Sequence, residues 1–383
     1  MLEALEQKWK EAATPKERVD AANQLAEYLV QADMTRCLAL AEQACDEARA
    51  IGYVAGEAGA LRHRAVCRLV QADLEGADED YQDALELSRR AGLVDIEAAS
   101  LLGLSTLRRK ATDYTEAMRL LLQARQLRRQ QGEFRGEVAA LNNLGALCVE
   151  LGTYDQAMAF LLEGLTIARQ HQFQEYEVFC LSNIAGIKRE AGDLEGAIAD
   201  LGTCLALAEA LGNRYVRPHL LAALCEAYLK QGRIEEALRV NEEALALASA
   251  GTDRQVELSL LVHLGTICDE LGMPEAAEAA FTRALERTER LGDLERRLET
   301  LCQAAAFYQR QDRPAEARAT FEEALARATA AGARRHLPRI LHGLAALHPE
   351  GASAYRQQEE AIETELRLQA EQSRKLALEA VGG

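Results

Sequence analysis

Seven histidines, nine cysteines and 61 carboxylates are the residues of this 383-residue chain with chemistry to offer. Their spacing assigns them no catalytic or metal-binding task. His336, His342 and His348 stand six residues apart, and that interval does not stack side chains on one helical face. The cysteines form no C-x-x-C pair and read as reduced, small, buried fillers. No His-Glu-x-x-His, Gly-rich phosphate loop or G-x-S-x-G occurs. The acidic residues follow helix-surface spacing, so pairing any two as acid and base would be arbitrary. The expectation is a protein with no catalytic residue, metal or cofactor, and therefore not an enzyme.

One set of polar residues recurs at a fixed interval of forty: Asn23, His63, Gly103, Asn143, Asn183, Ala223, His263, Gln303 and Gly343. Asn and Gln side chains both donate and accept. On the same helical face, three and seven residues on, stand Ala146 and Glu150, Gly186 and Glu190, Glu226 and Lys230, Thr266 and Glu270, and Ala306 and Arg310. Four residues earlier come Ala139, Phe179, His219, Ser259 and Glu299. This face is small and polar.

The elements that carry it repeat with the same period. Cys37, Ala77, Ala117, Ala157, Ala197, Ala237, Ala277 and Ala317 form one column. Leu61, Leu101, Leu141, Leu181, Leu221, Leu261, Leu301 and Leu341 form another. A third reads Gly52, Gly92, Gly132, Gln172, Gly212, Thr252, Gly292 and Gly332. Within one unit Leu141, Leu144, Cys148 and Leu151 make a helical stripe over about 137–151. Gly152-Thr153 ends it, and a second helix from Tyr154 carries Ala157, Phe160, Leu161, Leu165 and Ala168. A lone helix–turn–helix unit exposes its apolar stripes, whereas stacked units bury them continuously. A composition of 49% hydrophobic and 5% aromatic residues, with few β-branched ones, fits helix throughout.

These offsets resemble the tetratricopeptide repeat. A small residue (Gly145, Ala185, Cys225, Gly265, Ala305, Ala345) comes twelve before the position of the alanine column. A large one (Tyr81, Leu121, Leu161, Leu201, Asn241, Phe281, Phe321) follows it by four. The repeat is 40 residues long rather than 34, and it lacks the closing proline. In this it is similar to kinesin light chains, the LGN/Pins polarity adaptors and the bacterial Rap/PlcR-type peptide receptors. The resemblance implies an all-α, right-handed α-solenoid superhelix of about eight helix–turn–helix repeats, with first helices lining a concave groove. The polar column then faces a ligand, and Asn143 and Asn183 match the asparagine that holds a peptide backbone in the extended-repeat families. His263 and Gln303 join them. Arg109, Lys110, Glu150, Arg189, Glu190, Lys230 and Glu270 would tune sequence preference, and their mixed signs predict no simple carboxylate clamp. The alternative is that the column forms a hydrogen-bonded ladder between successive repeats.

The net charge of −17 opposes nucleic acid and anionic membrane surfaces as partners. The basic clusters at Arg108-Arg109-Lys110 and Arg125 to Arg129 read as solvated helix faces. No stretch approaches the ~18 apolar residues of a membrane span. Met1 to Lys10 lacks a signal-peptide core, which predicts a cytoplasmic protein. Residues 1–16 form a capping helix, 17–350 the solenoid and 351–383 a long C-terminal helix, with apolar Ile362, Leu366, Leu376 and Leu378. That helix reads as a polar cap, or as a helix that dimerises or connects to an output. The function expected is a scaffold binding a peptide or partner segment in the groove. The alternative is a bacterial sensor whose groove ligand acts through the C-terminal helix.

Overall fold

A computed structural model describes residues 2–213, 215–250 and 254–381. Among these residues there are nineteen α-helices and no strand. The chain opens with α1 (Leu2–Lys10). Helices then alternate in two sets. The first helices are α2 (Pro15–Ala32), α4 (Val54–Val70), α6 (Val94–Lys110), α8 (Phe134–Glu150), α10 (Gln174–Glu190), α12 (Val216–Lys230), α14 (Arg254–Glu270), α16 (Leu294–Arg310) and α18 (Leu337–Leu347). The second helices are α3 (Met34–Ala50), α5 (Leu74–Ala91), α7 (Tyr114–Gln131), α9 (Tyr154–Gln170), α11 (Leu194–Ala210), α13 (Ile234–Ala250), α15 (Pro274–Leu291) and α17 (Pro314–Ala330). The chain closes with α19 (Ala352–Val381). Thr252 and the Gly382-Gly383 end lie outside the described residues, as does the Leu378 side chain.

The period is sharper than forty. A left-handed residue stands at every twentieth position from Gly52 to Gly332 among the described residues, between first and second helices as well as between repeats. Four of these are not glycine: Ala72, Thr112, Gln172 and Asp312. The turns share a bond pattern. Leu93 N donates to Ser88 O, and Phe173 N donates to Ala168 O, the six-to-one bond of a Schellman cap. That bond satisfies a terminal carbonyl, which is why the register survives without glycine. At the start of α2, Thr14 accepts from Glu17 N while the Glu17 carboxylate accepts from Thr14 N. This is a capping box, with Pro15 in the first turn.

The chain divides into two compact units. One holds residues up to Leu151 together with the chain from Gln372 onward; the other is Gly152–Glu371. In the first unit Leu25, Leu29, Cys37, Leu40, Leu61 and Cys67 form one core, and Tyr81, Leu101, Leu104, Leu107 and Leu120 another. In the second, Phe281 and Phe307 anchor one cluster and Leu298, Leu301, Phe321, Ile340 and Leu344 a second. Every member of the alanine column is fully buried, because helix pairs approach there too closely for a larger side chain. The leucine column is buried throughout, each side chain contributing ~1.5–3 kcal/mol. All nine cysteines are buried free thiols. No helix among the described residues is long and apolar enough to cross a membrane.

Candidate binding face of the first helices

The stripe of Ala139, Asn143, Ala146 and Glu150 on α8 is the part of that helix left outside its core, and the equivalent stripe recurs on α6, α10, α12, α14 and α16. Asn143 is exposed. Asn183 is half-buried and has contacts of its own within the chain. Gln303 is half-buried. Gly186, three residues beyond Asn183, opens onto free space: a Cβ there would meet nothing within 4 Å.

The two histidines of the column are neutral for one main reason. Burial first, and then the positive charges of Arg189 and Arg296, lower the His263 pKa to about 4. Burial also drives His63 well below its ordinary value, with Arg62 adding to the effect. A Glu27 oxygen lies 3.6 Å from His63 Nε2. That carboxylate is largely exposed and screened, so burial governs. Asn23 Nδ2 donates to Gly56 O on the next first helix at 3.0 Å.

Five of the charged residues that sequence reading assigned to a ligand, Arg109, Glu150, Arg189, Glu190 and Lys230, are engaged in ion pairs along this face. Arg109 pairs with Glu150. Lys230 Nζ lies 2.9 Å from a Glu190 oxygen. Arg189 pairs with Glu226 at 2.8 Å and donates to Glu190 at 3.2 Å. Lys230, followed by burial and Arg189, acts on the Glu190 carboxyl, whose pKa is lowered. Farther along, Arg310 Nε and Gln311 Nε2 both donate to Asp269 at 2.7 Å. Partners separated by forty or so residues sit at equivalent places on adjacent first helices. Helix axes 8–10 Å apart bring two long side chains together there. The basic clusters are likewise not simply solvated: Arg108 pairs with Asp78 at 2.8 Å, and Arg125 is buried.

Two features escaped the sequence reading. The first is that the polar column answers to volume as well as polarity. Gly103 is glycine because Tyr81 fills its place: a Cβ would lie 2.2 Å from Tyr81 Cζ. Gly343 stands likewise 2.3 Å from Phe321 Cζ. Tyr81 and Phe321 thus each bear on the column residue twenty-two positions later. Phe281 departs from this, turning toward Gly265 and stacking at 5.5 Å on Phe307, which leaves room for Gln303. The second feature is an aromatic run in a chain poor in aromatics. His171 stacks on Phe173 at 5.5 Å, Phe173 meets Tyr176 at 6.5 Å, and Tyr176 meets Phe179 at 6.1 Å. On α12, His219 packs against the exposed Tyr215 at 5.7 Å. Phe179 and His219 share a column, so their forty-residue spacing was the signal available.

Among the described residues no three His, Cys, Asp or Glu side chains come together to hold a metal. His342 instead contacts Glu359, and His348 Nδ1 accepts from Gly351 N.

Residues 96–170 and 216–290 match the family model of the tetratricopeptide repeat. No curated protein sequence matches the chain. Among solved structures the fold is similar to a Rap protein complexed with Competence and Sporulation Factor. The identity is 16% and the TM-score 0.66, with 92% of this chain and 99% of that one covered. It is also similar to NprR in complex with its cognate peptide NprX (15% identity, TM-score 0.59, 90% and 99% covered). Aspartyl phosphate phosphatase F from Bacillus subtilis follows, at 16% identity and TM-score 0.61, with 85% and 87% covered. The chain is an all-α solenoid of tetratricopeptide-like repeats.

Proposed function

We propose that this solenoid is a non-catalytic interaction scaffold that binds an extended peptide, or a partner's extended segment, along its first-helix face. The observation that carries the reading is the open floor at Gly186 beside Asn183. Interior glycine weakens a helix by roughly 1 kcal/mol against alanine, and no packing neighbour requires it here. Clearance for a ligand accounts for it. Exposed Asn143 supports the same reading, since a carboxamide can pair with both the N–H and the C=O of an unpaired backbone. Two of the similar structures carry a peptide or a factor in their complexes. The charged residues of this face act through their pairs: a ligand that engages Arg109, Glu150, Arg189 or Lys230 displaces an existing partner, which favours selectivity over raw affinity.

The test is panning of a random linear peptide pool on the immobilised protein. Wild type should retain a subset that Gly186→Gln excludes, while circular dichroism shows the variant as helical as wild type and no less stable. Asn143→Ala with Asn183→Ala should weaken the same subset. Equal retention by all three proteins would move the site off this face.

A sensor role is the second reading, and α19 favours it. At 30 residues it is far longer than the 17- or 18-residue second helices. Gln357 stands where the repeats have alanine. Its first half is tied to the last repeat by Glu359 to His342 and Glu365 to Arg334. Such a helix suits transmission to an output or to a second copy of the chain. Peptide-dependent change in α19 hydrogen exchange would support it.

A further inference from the structure

Thirty residues beyond the alanine column stands a second buried apolar series: Leu107, Leu147, Ile187, Ala227, Ile267 and Phe307. The first rung of the solenoid departs from the pattern at both ends. Cys37 takes the place of the alanine, and Cys67 takes the place of the residue thirty on. A Cys–Cys rung fills about the space of an Ala–Leu rung, so packing does not distinguish the two. Chemistry does.

Both thiols are fully buried, in a core shared by α2, α3 and α4. They lie within hydrogen-bonding reach of each other, and that contact is the largest influence on the ionisation of each. It holds the Cys67 thiol below its ordinary value and, with burial, drives Cys37 above it. Cys37 Sγ also donates to Ala26 O at 3.4 Å. Elsewhere burial leads: it pushes up the thiols of Cys45, Cys180, Cys204, Cys225, Cys268 and Cys302. The thiolate is the nucleophile of cysteine chemistry, so Cys67 attacks first and Cys37 is the resolving thiol beside it.

We infer that Cys37 and Cys67 are a modification site, a dithiol that a small peroxide converts to a reversible disulfide tying the first repeat to the second. Burial of both sulfurs favours hydrogen peroxide over a bulky disulfide oxidant. The Cys67 thiolate attacks a peroxide oxygen, the O–O bond breaks, and hydroxide leaves to take up the thiol proton as water. The Cys37 sulfur then attacks the sulfenic sulfur. The S–S bond forms, the S–O bond breaks, and a second water leaves with the Cys37 proton. Two electrons pass from the sulfurs to the peroxide. The assignment does not depend on the groove reading above.

The test treats folded wild type with hydrogen peroxide, then unfolds, alkylates and maps it by mass spectrometry without reduction. The expected product is a peptide pair joined through Cys37 and Cys67, two hydrogens lighter and released by dithiothreitol. Cys45 lies between Arg36 and Arg49 on the same tryptic peptide as Cys37, so the link must persist in Cys45→Ala. The link constrains the unfolded chain, so oxidation should raise the thermal midpoint by a few degrees. Cys37→Ala with Cys67→Leu recreates the Ala77 and Leu107 rung and so keeps the fold. It should show neither the link nor the shift. Cys37 and Cys67 both left open to alkylation, Cys67 carried on to sulfinic acid, or a link lost in Cys45→Ala overturns the assignment. A link that forms equally well in urea-unfolded protein overturns the role of the fold in making it.

Discussion

Asn23 and Asn143 occupy the same column three repeats apart, and they meet opposite fates. Asn23, on α2, donates to the Gly56 carbonyl of α4 and lies against Gly59. Asn143, on α8, is exposed. The side chains are identical and the helices equivalent, so residue type does not decide the difference. For Asn23 the residue opposite does: thirty-three residues on the chain has glycine, and a bare helix backbone offers its carbonyl. A polar column in a repeat protein is therefore a ladder where the next helix offers it a bare carbonyl.

The sharpest break of that rule is Gly103→Asn, which places the common column residue where Tyr81 already sits. With Tyr81 Cζ 2.2 Å from a Cβ at that position, overpacking should cost ~1–3 kcal/mol. Tyr81→Leu recreates the Leu121 and Asn143 combination and should recover most of the loss. A double-mutant cycle in urea measures the coupling. Additive losses would show that volume does not link the two helices.

The fold was legible because the signals for it are local and repeated. The alanine column, the leucine column and the turn residues each depend on one helix pair, and each pair has the same spacing. The face was legible only in part. Asn143 is exposed and Gly186 faces open space, whereas Arg109, Glu150, Arg189 and Lys230 find partners on neighbouring repeats. Those pairs involve residues forty apart, and nothing in a list of charges says which of several opposite signs will meet.

Acid offers a second way to sharpen the comparison. His63 and His263 are both held neutral, with folded pKa values below the ordinary ~6.5 of the unfolded chain. The unfolded state thus takes up a proton first. Their contribution is whole above about pH 6.5 and declines as pH falls toward 4. The lowered carboxyls of Glu190, Glu278 and Glu323 act only below about 4.5. Urea midpoints at pH 7 and pH 5 should therefore differ in wild type and differ less in His63→Leu or His263→Gln. An undiminished drop in both variants would mean that the rings are charged in the fold.

The asparagines themselves give the smaller effects, and the direct test. Asn23→Ala removes a part-buried bond between helices and should cost about 1 kcal/mol. Asn143→Ala removes an exposed side chain and exchanges it for the best helix former, so its change should stay within ~0.5 kcal/mol, of either sign. Retention from the peptide pool should respond in the reverse order, unchanged by Asn23→Ala and weakened by Asn143→Ala. If Asn143→Ala instead costs as much stability as Asn23→Ala, the two residues do the same structural work, and the column is a ladder along its whole length.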